Sequence, residues 1–288
     1  MRLRNTIPLI RRPVEPSGMR PVVDHVPFAV RDLAEANARF ERAGLPTTSG
    51  GTHGDGTTEM AQVVLPDGSY LELLAPTGEG DPGFWPTALA VGAGPCAWGV
   101  QSGSVHNELQ RVITHDVRVD GPHRASRSRP DGTHVEWDMG FLGPDDREVL
   151  PFLIADRTPR DYRVPDSELY GSPVSGIGWI VIAVRDLNAT IEEFHDLFRL
   201  PEPKTDVDTR FGELAWFPEQ SFVLAEPTDG QVADRLDSIG PGPAAVFLSA
   251  EIDRARNRFP LEGARSLFDH RLAFIEEFDG RLGLVSRG

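Results

Sequence analysis

The sequence predicts an α+β protein made of four βαβββ modules paired into two domains. Three observations carry that expectation. The strand-to-helix signature Ala-Val-Arg-Asp-Leu occurs twice, at Ala29–Leu33 and again at Ala183–Leu187. Both copies run into a helical pattern with Phe at the same step, Phe40 and Phe194, and the offset is 154 positions (29 to 183). A repeat at a fixed offset marks a duplicated structural unit. Pro66-Asp67-Gly68 and Pro130-Asp131-Gly132 each separate two strand-like runs, and Pro-Asp-Gly is a turn signal with a known backbone cause.

The first module reads in order. Residues 22–30 alternate as a strand does. Asp32 with Glu35 three places on forms a capping box; Leu33, Ala36, Phe40 and Ala43 then recur at helical spacing, and Gly44 is a helix stop. Strands follow near 46–52, 59–65 and 69–75. The second module covers 94–157, with a strand at 96–102, a helix at 105–117 carrying Leu109, Val112 and Ile113 on one face, and strands near 124–129, 133–138 and 148–155. Residues 158–173 hold Pro159, Pro165, Pro173 and many charges, and read as a linker. The third module, 174–227, has a strand at 177–184, a helix at 187–198 and strands near 204–217 and 221–226. The fourth, 243–287, has a strand at 244–250, a helix at 251–258, and strands near 266–277 and 281–286, with Asp279-Gly280 at the last hairpin.

A single curved βαβββ sheet leaves its concave face and an edge uncovered, so modules pair, and the space between them is a small-molecule pocket. Modules 22–76 and 94–157 thus make an N-terminal domain over 20–157, and residues 174–288 a second domain. Residues 1–19 read as a flexible extension.

Composition narrows the partners. A net charge of −15 argues against nucleic acid and anionic membranes. The single cysteine, Cys96, excludes an intrachain disulfide and a cysteine metal cluster, and reads as a buried inert thiol. No apolar stretch is long enough to span a bilayer, and residues 1–18 lack the apolar core of a signal peptide. The expected partner is a small molecule and the expected compartment the cytoplasm, with a homodimer left open.

Four segments resemble the vicinal oxygen chelate superfamily, the group of glyoxalases, extradiol dioxygenases and bleomycin-resistance proteins. They are Asp24-His25-Val26 leading to Val30-Arg31-Asp32-Leu33; Tyr70-Leu71-Glu72-Leu73-Leu74-Ala75-Pro76; the Ala183–Leu187 repeat; and Arg127-Ser128-Arg129-Pro130-Asp131-Gly132 followed by Trp137 and Pro151-Phe152. The resemblance implies two glyoxalase/extradiol-dioxygenase-like domains, the second degenerate. It also implies metal ligands on the first and last strands of a module, which here are His25 and Glu72. Strand alternation puts His25 on a face with Val23 and Pro27, leaves Val26, Phe28 and Val30 for the helix side, and sets Glu72 beside Tyr70 and Leu74.

An imidazole with a carboxylate suits Fe²⁺, Zn²⁺, Mn²⁺, Co²⁺ or Ni²⁺. Such a cation binds two adjacent substrate oxygens and stabilises a developing oxyanion, while Glu72 moves a proton. His25 and Glu72 are therefore the expected catalytic pair. The third ligand is expected from His53, or from His134 or Glu136, which share one face of a strand. Tyr70, Trp98 and Trp137 are the expected ligand contacts. The pattern is incomplete: Trp98 stands where a second histidine is expected, Phe152 or Ile154 where a second carboxylate is expected, and Trp179 and Val223 match His25 and Glu72 in the second domain. Alternatives stay open. His25 and Glu72 also read as a polar pair lining a metal-free cavity, His53 as a loop residue among glycines, and His134 with Glu136 as an exposed strand face. The expected function is a metal-dependent isomerase, lyase or dioxygenase acting on vicinal oxygens; the alternative is a non-catalytic small-molecule binder of the resistance type.

Overall fold

The computed structural model describes residues 20–143 and 149–286; the extension expected at 1–19 lies outside the described residues. The first module comprises β1 (Val23–Ala29), α1 (Leu33–Arg42), β2 (Thr48–His53), β3 (Thr58–Val64) and β4 (Tyr70–Pro76). α1 starts where predicted, because Asp32 accepts a hydrogen bond from the Glu35 amide and satisfies a free N–H of the first turn. A short helix α2 (Pro86–Val91), which the sequence reading left unassigned, and a two-residue strand β5 (Gly94–Pro95) lead to the second module. That module holds β6 (Gly99–Gln101), α3 (Val105–Ile113), β7 (Val119–Ser128), β8 (His134–Leu142) and β9 (Phe152–Asp156). α3 ends at Ile113, earlier than the expected 117, as Asp116 adopts a left-handed backbone (φ 58°) that no helix continues. Ile113 is exposed, not on the buried face with Leu109 and Val112.

The stretch expected to be a linker contains a helical turn, α4 (Arg160–Arg163). The second half follows with β10 (Val174–Ala183), α5 (Leu187–Phe198), β11 (Lys204–Asp208), β12 (Gly212–Trp216), β13 (Phe222–Glu226), the unforeseen α6 (Gly230–Ile239), β14 (Gly242–Ala250), α7 (Ile252–Ala255), β15 (Arg265–Leu267), β16 (His270–Phe274) and β17 (Leu282–Ser286). The fold is α+β, two barrel-like sheets with few helices. None of the described helices is long and apolar enough to cross a membrane.

The first sheet runs β4-β3-β2-β7-β8-β9-β6-β1-β5, and β1 also pairs in parallel with β4, so eight strands form a ring with β5 appended. The two modules meet at β1–β6 and at a short seam, where Thr52 faces Ser128 and His53 faces Arg127. Gly51 makes the seam feasible: it holds φ 89°, and a Cβ there would collide with the Ser128 carbonyl. The second sheet, β11-β12-β13-β10-β14-β17-β16-β15, repeats the order but leaves β11 and β15 as unpaired edges.

One apolar core lies outside both sheets and joins them. Val26, Phe28, Phe40, Trp98 and Leu153 of the first half pack with Phe194, Phe222, Leu248 and Phe278 of the second. Burying a Phe side chain of this kind is worth roughly 1.5–3 kcal/mol. The two concave interiors hold separate clusters.

Candidate functional site

The interior of the closed barrel is a cavity of about 250 Å³, and its polar floor comes from β1 and β4. Their parallel register sets His25 opposite Tyr70 and Pro27 opposite Glu72. The rings of His25 and Tyr70 stack at 4.6 Å with an interplanar angle of 2°. His25 Nε2 lies 3.3 Å from Glu72 Oε2. His53, at the end of β2, brings its Nε2 to 3.6 Å from Glu72 Oε1 and turns Nδ1 to the Thr58 hydroxyl at 2.8 Å. One carboxylate is therefore flanked by two imidazoles.

Behind His25 stands a charged core that the sequence reading did not foresee. Along β1, Val23 faces Val100 and His25 faces Gly99, so Asp24 is an extra residue in a bulge. A bulge re-aims side chains. It brings Asp24 Oδ1 to 2.7 Å from His25 Nδ1, and Val23 packs on the outer core instead of sharing the inner face with His25. Asp24 is fully buried and accepts three further charge-assisted contacts, from Arg163 Nη1 (2.8 Å) and Nη2 (3.0 Å) and from Arg160 Nη1 (2.6 Å). Arg163, also buried, reaches Asp156 through Nε and Nη2 and donates to the Tyr70 hydroxyl at 2.7 Å. Its backbone carbonyl accepts from Arg127 Nη2 (2.7 Å) and Gln62 Nε2 (3.1 Å). The supposed linker is thus a wall of the site. One sequence signal for it exists: a carboxylate in a strand of buried residues needs a cationic partner.

The electrostatics follow. Burial disfavours ionised Asp24, but the Arg163 guanidinium and the bond to His25 outweigh it, and its carboxyl titrates well below the usual range. Since an ionised carboxylate only accepts, His25 Nδ1 carries the proton and Nε2 faces the cavity. Burial likewise opposes a charged His25, yet Asp24 and Glu72 on either side raise it above the ordinary imidazole value. Burial would raise Glu72; the two histidines overcome this and hold it below the usual range, so it stays ionised. Burial pushes the Tyr70 phenol up, and it stays protonated.

Met60, Leu74, Trp137, Met139, Phe152 and Ile154 supply apolar walls, and Asp55, His123, Arg124, Ser126 and Arg127 also line the cavity. Gly99 leaves room for His25, because a Cβ there would stand 2.8 Å from Phe152 and 3.1 Å from His25 Cε1. His25, His53, Tyr70, Glu72 and Trp137 therefore meet in one space. Trp98 does not. It points outward, lies tilted against Phe222 with ring centroids 5.3 Å apart and donates its indole N–H to the Val149 carbonyl. Strand alternation is the reason: Gly99 and Ala97 take the inward positions of that segment. His134 also lies elsewhere. It is exposed beside Glu136 at 3.9 Å, while Val135, Trp137 and Met139 of β8 face inward.

The donor set suits a divalent cation. Two imidazoles, each anchored through Nδ1, present Nε2 to a shared carboxylate, and a hydrogen bond to the rear nitrogen is the arrangement that orients metal-binding histidines. With metal–ligand bonds of ~2.1 Å, neighbouring donors stand roughly 3.0–3.4 Å apart; the contacts of 3.3 and 3.6 Å are close to that spacing. Yet among the described residues no group of three or more His, Cys, Asp and Glu donors is gathered as a preassembled cluster. His25 and His53 contact opposite oxygens of Glu72, so binding one ion needs a side-chain adjustment.

A model of the glyoxalase-like domain matches residues 23–198, which take in the whole first barrel and run on through α5. The chain belongs to the glyoxalase-like domain family, within the vicinal oxygen chelate superfamily. Solved structures agree in fold. A hypothetical protein from Staphylococcus aureus is 14% identical with a TM-score of 0.60, over 92% of this chain and 98% of that one. A mutant 4-hydroxymandelate synthase from Streptomyces coelicolor is 12% identical with a TM-score of 0.56, over 93% of both chains. The Mn(II)-bound glyoxalase from Novosphingobium aromaticivorans is 11% identical with a TM-score of 0.53, over 92% of this chain and 81% of that one. A search among curated proteins finds no match to the chain.

Proposed function

We propose that this glyoxalase-like protein is a divalent-metal-dependent enzyme acting in its N-terminal cavity on a small molecule with neighbouring oxygens. The observation that carries this reading is the His25–Glu72–His53 array, with each histidine anchored through its rear nitrogen. His25 and Glu72 would hold the ion and His53 would complete the set. A bound cation supplies Lewis acidity to two adjacent substrate oxygens.

The other roles belong to the chain itself. Glu72, held ionised, is a better anionic ligand than proton acceptor, because its low proton affinity makes it a weak base. His53, with Nδ1 held by the Thr58 hydroxyl, would commit Nε2 to the ion and so acts as a ligand, not as a proton carrier. Tyr70, fixed by Arg163 and stacked on His25, keeps a phenolic proton for a substrate oxygen. The walls of Trp137, Phe152 and Met139 exclude water and favour a compact, partly apolar substrate. A two-histidine, one-carboxylate donor set serves isomerase, lyase and ring-cleaving dioxygenase chemistry alike.

Metal analysis of purified protein tests the proposal. About one metal ion per chain in wild type, lost in His25→Ala and in Glu72→Gln, is the expected result. A second reading, non-catalytic capture of a small molecule, is favoured by the donors' not being gathered as a cluster. It predicts metal-free wild-type protein that binds aromatic ligands regardless of chelator.

A further inference from the structure

A second cavity lies between the two halves, remote from His25 and Glu72. It measures about 420 Å³ and is lined by residues 91–93 of the first half and by α6 and the 279–281 turn of the second. Three guanidiniums enter it: Arg210, Arg235 and Arg281. Each is anchored at one side by a neutral group. Arg235 donates to the Gly240 carbonyl at 3.0 Å, Arg281 to the Gly92 carbonyl at 3.1 Å, and Arg210 lies over the Phe274 ring at 4.2 Å.

Carboxylates do little to cancel them. Among the described residues, Arg210 has a long ionic contact with Glu262, 3.8 Å, and Asp279 at the edge is engaged by Arg39. Asp234 is the remaining acid in the lining. Arg210 Nη1 and Arg235 Nε are buried without a hydrogen-bond partner among the described residues. A buried, unpaired charged donor is costly, and both arginines that carry one also line this cavity. Burial first, and Arg281 beside it, bring Arg235 down to about 10, which leaves it charged at neutral pH. A cluster of cations with neutral anchors is notable in a chain of 44 acidic and 29 basic residues.

We propose that this interdomain pocket binds a phosphate-class oxyanion, such as the phosphoryl end of a small molecule. Guanidinium forks match phosphate oxygens in pairs, and three of them outnumber what a single carboxylate needs. The inference is independent of the function proposed for the first cavity.

Calorimetric titration with inorganic pyrophosphate tests it, at constant ionic strength and with chelator present so that a metal-held pyrophosphate cannot imitate the signal. The expected result is one pyrophosphate per chain, with affinity at least tenfold weaker in Arg235→Gln and in Arg281→Gln. Arg281 is exposed, so its variant reads the site even if Arg235→Gln fails to fold. Arg254→Gln, an exposed arginine paired with Glu251 and absent from the lining of this cavity, should bind as wild type. No binding by wild type, or equal binding by Arg281→Gln, overturns the proposal. Malonate binding as tightly as pyrophosphate overturns the phosphate assignment.

Discussion

The two halves share a strand order and differ in how they close and in what fills them. In the N-terminal barrel the seam is backbone, with β2 paired to β7, and the interior holds buried charges around a cavity. In the C-terminal sheet β11 and β15 do not pair; side chains span the gap instead, through Arg265 to Asp208 at 2.8 Å and Lys204 to Asp269 at 3.9 Å. Its interior is filled by Trp179, Phe211, Phe247, Phe268 and Phe274, with His270 lying against Trp179 and Trp216. The register makes the comparison direct. Pro27 faces Glu72 on β4, and the duplicate position Val181 faces Val223 on β13. One scaffold thus holds either a cavity or a packed aromatic plug. A cavity needs its polar groups satisfied from behind, as Arg163 does for Asp24, while the plug needs only volume.

The largest effects should come from cutting each interior at its centre. Asp24→Ala leaves Arg163 buried without its main counter-charge and should cost ~3–5 kcal/mol in chemical denaturation. Trp179→Ala should cost a similar ~3–5 kcal/mol by leaving a void. The two should part on function, with metal content falling in the first and unchanged in the second; equal loss in both would remove the distinction between site and plug. A smaller effect is expected at the seam. Gly51→Ala places a Cβ against the Ser128 carbonyl in a left-handed backbone, at roughly 1–3 kcal/mol, and faster amide exchange in β2 and β7 than in β11 would report the opening. His53→Ala should lower metal affinity by about 10-fold or more while Tm changes little, since the ring is half-buried; unchanged affinity would remove His53 from the donor set. The least effect is expected at the other gap. Lys204→Met breaks an exposed pair 3.9 Å long, and a change above ~1 kcal/mol would show that side-chain closure there carries more than surface pairs usually do.

Much of this was legible in the chain. The duplicated Ala-Val-Arg-Asp-Leu, the Pro-Asp-Gly turns and period-two alternation located most of the strands and the helices α1 and α5, because these are local signals with local causes. They also placed His25, Tyr70 and Glu72 on one inner surface. The unforeseen elements had weaker signatures. α6 turns only Val232 and Leu236 inward, and α2 is six residues long. Trp98 was misplaced for want of the β6 register, and His134 for want of knowing which face of β8 turned inward.

By itself the sequence determined the module, its repetition, the family and the pairing of an imidazole with a carboxylate, since each depends on spacing along one or two strands. Only the tertiary structure decided that β1 bulges at Asp24, that Arg163 returns 139 positions later to hold it, and that His53 and not His134 meets Glu72. Those contacts depend on barrel closure and strand register, and a one-residue slip in either turns every side chain to the opposite face.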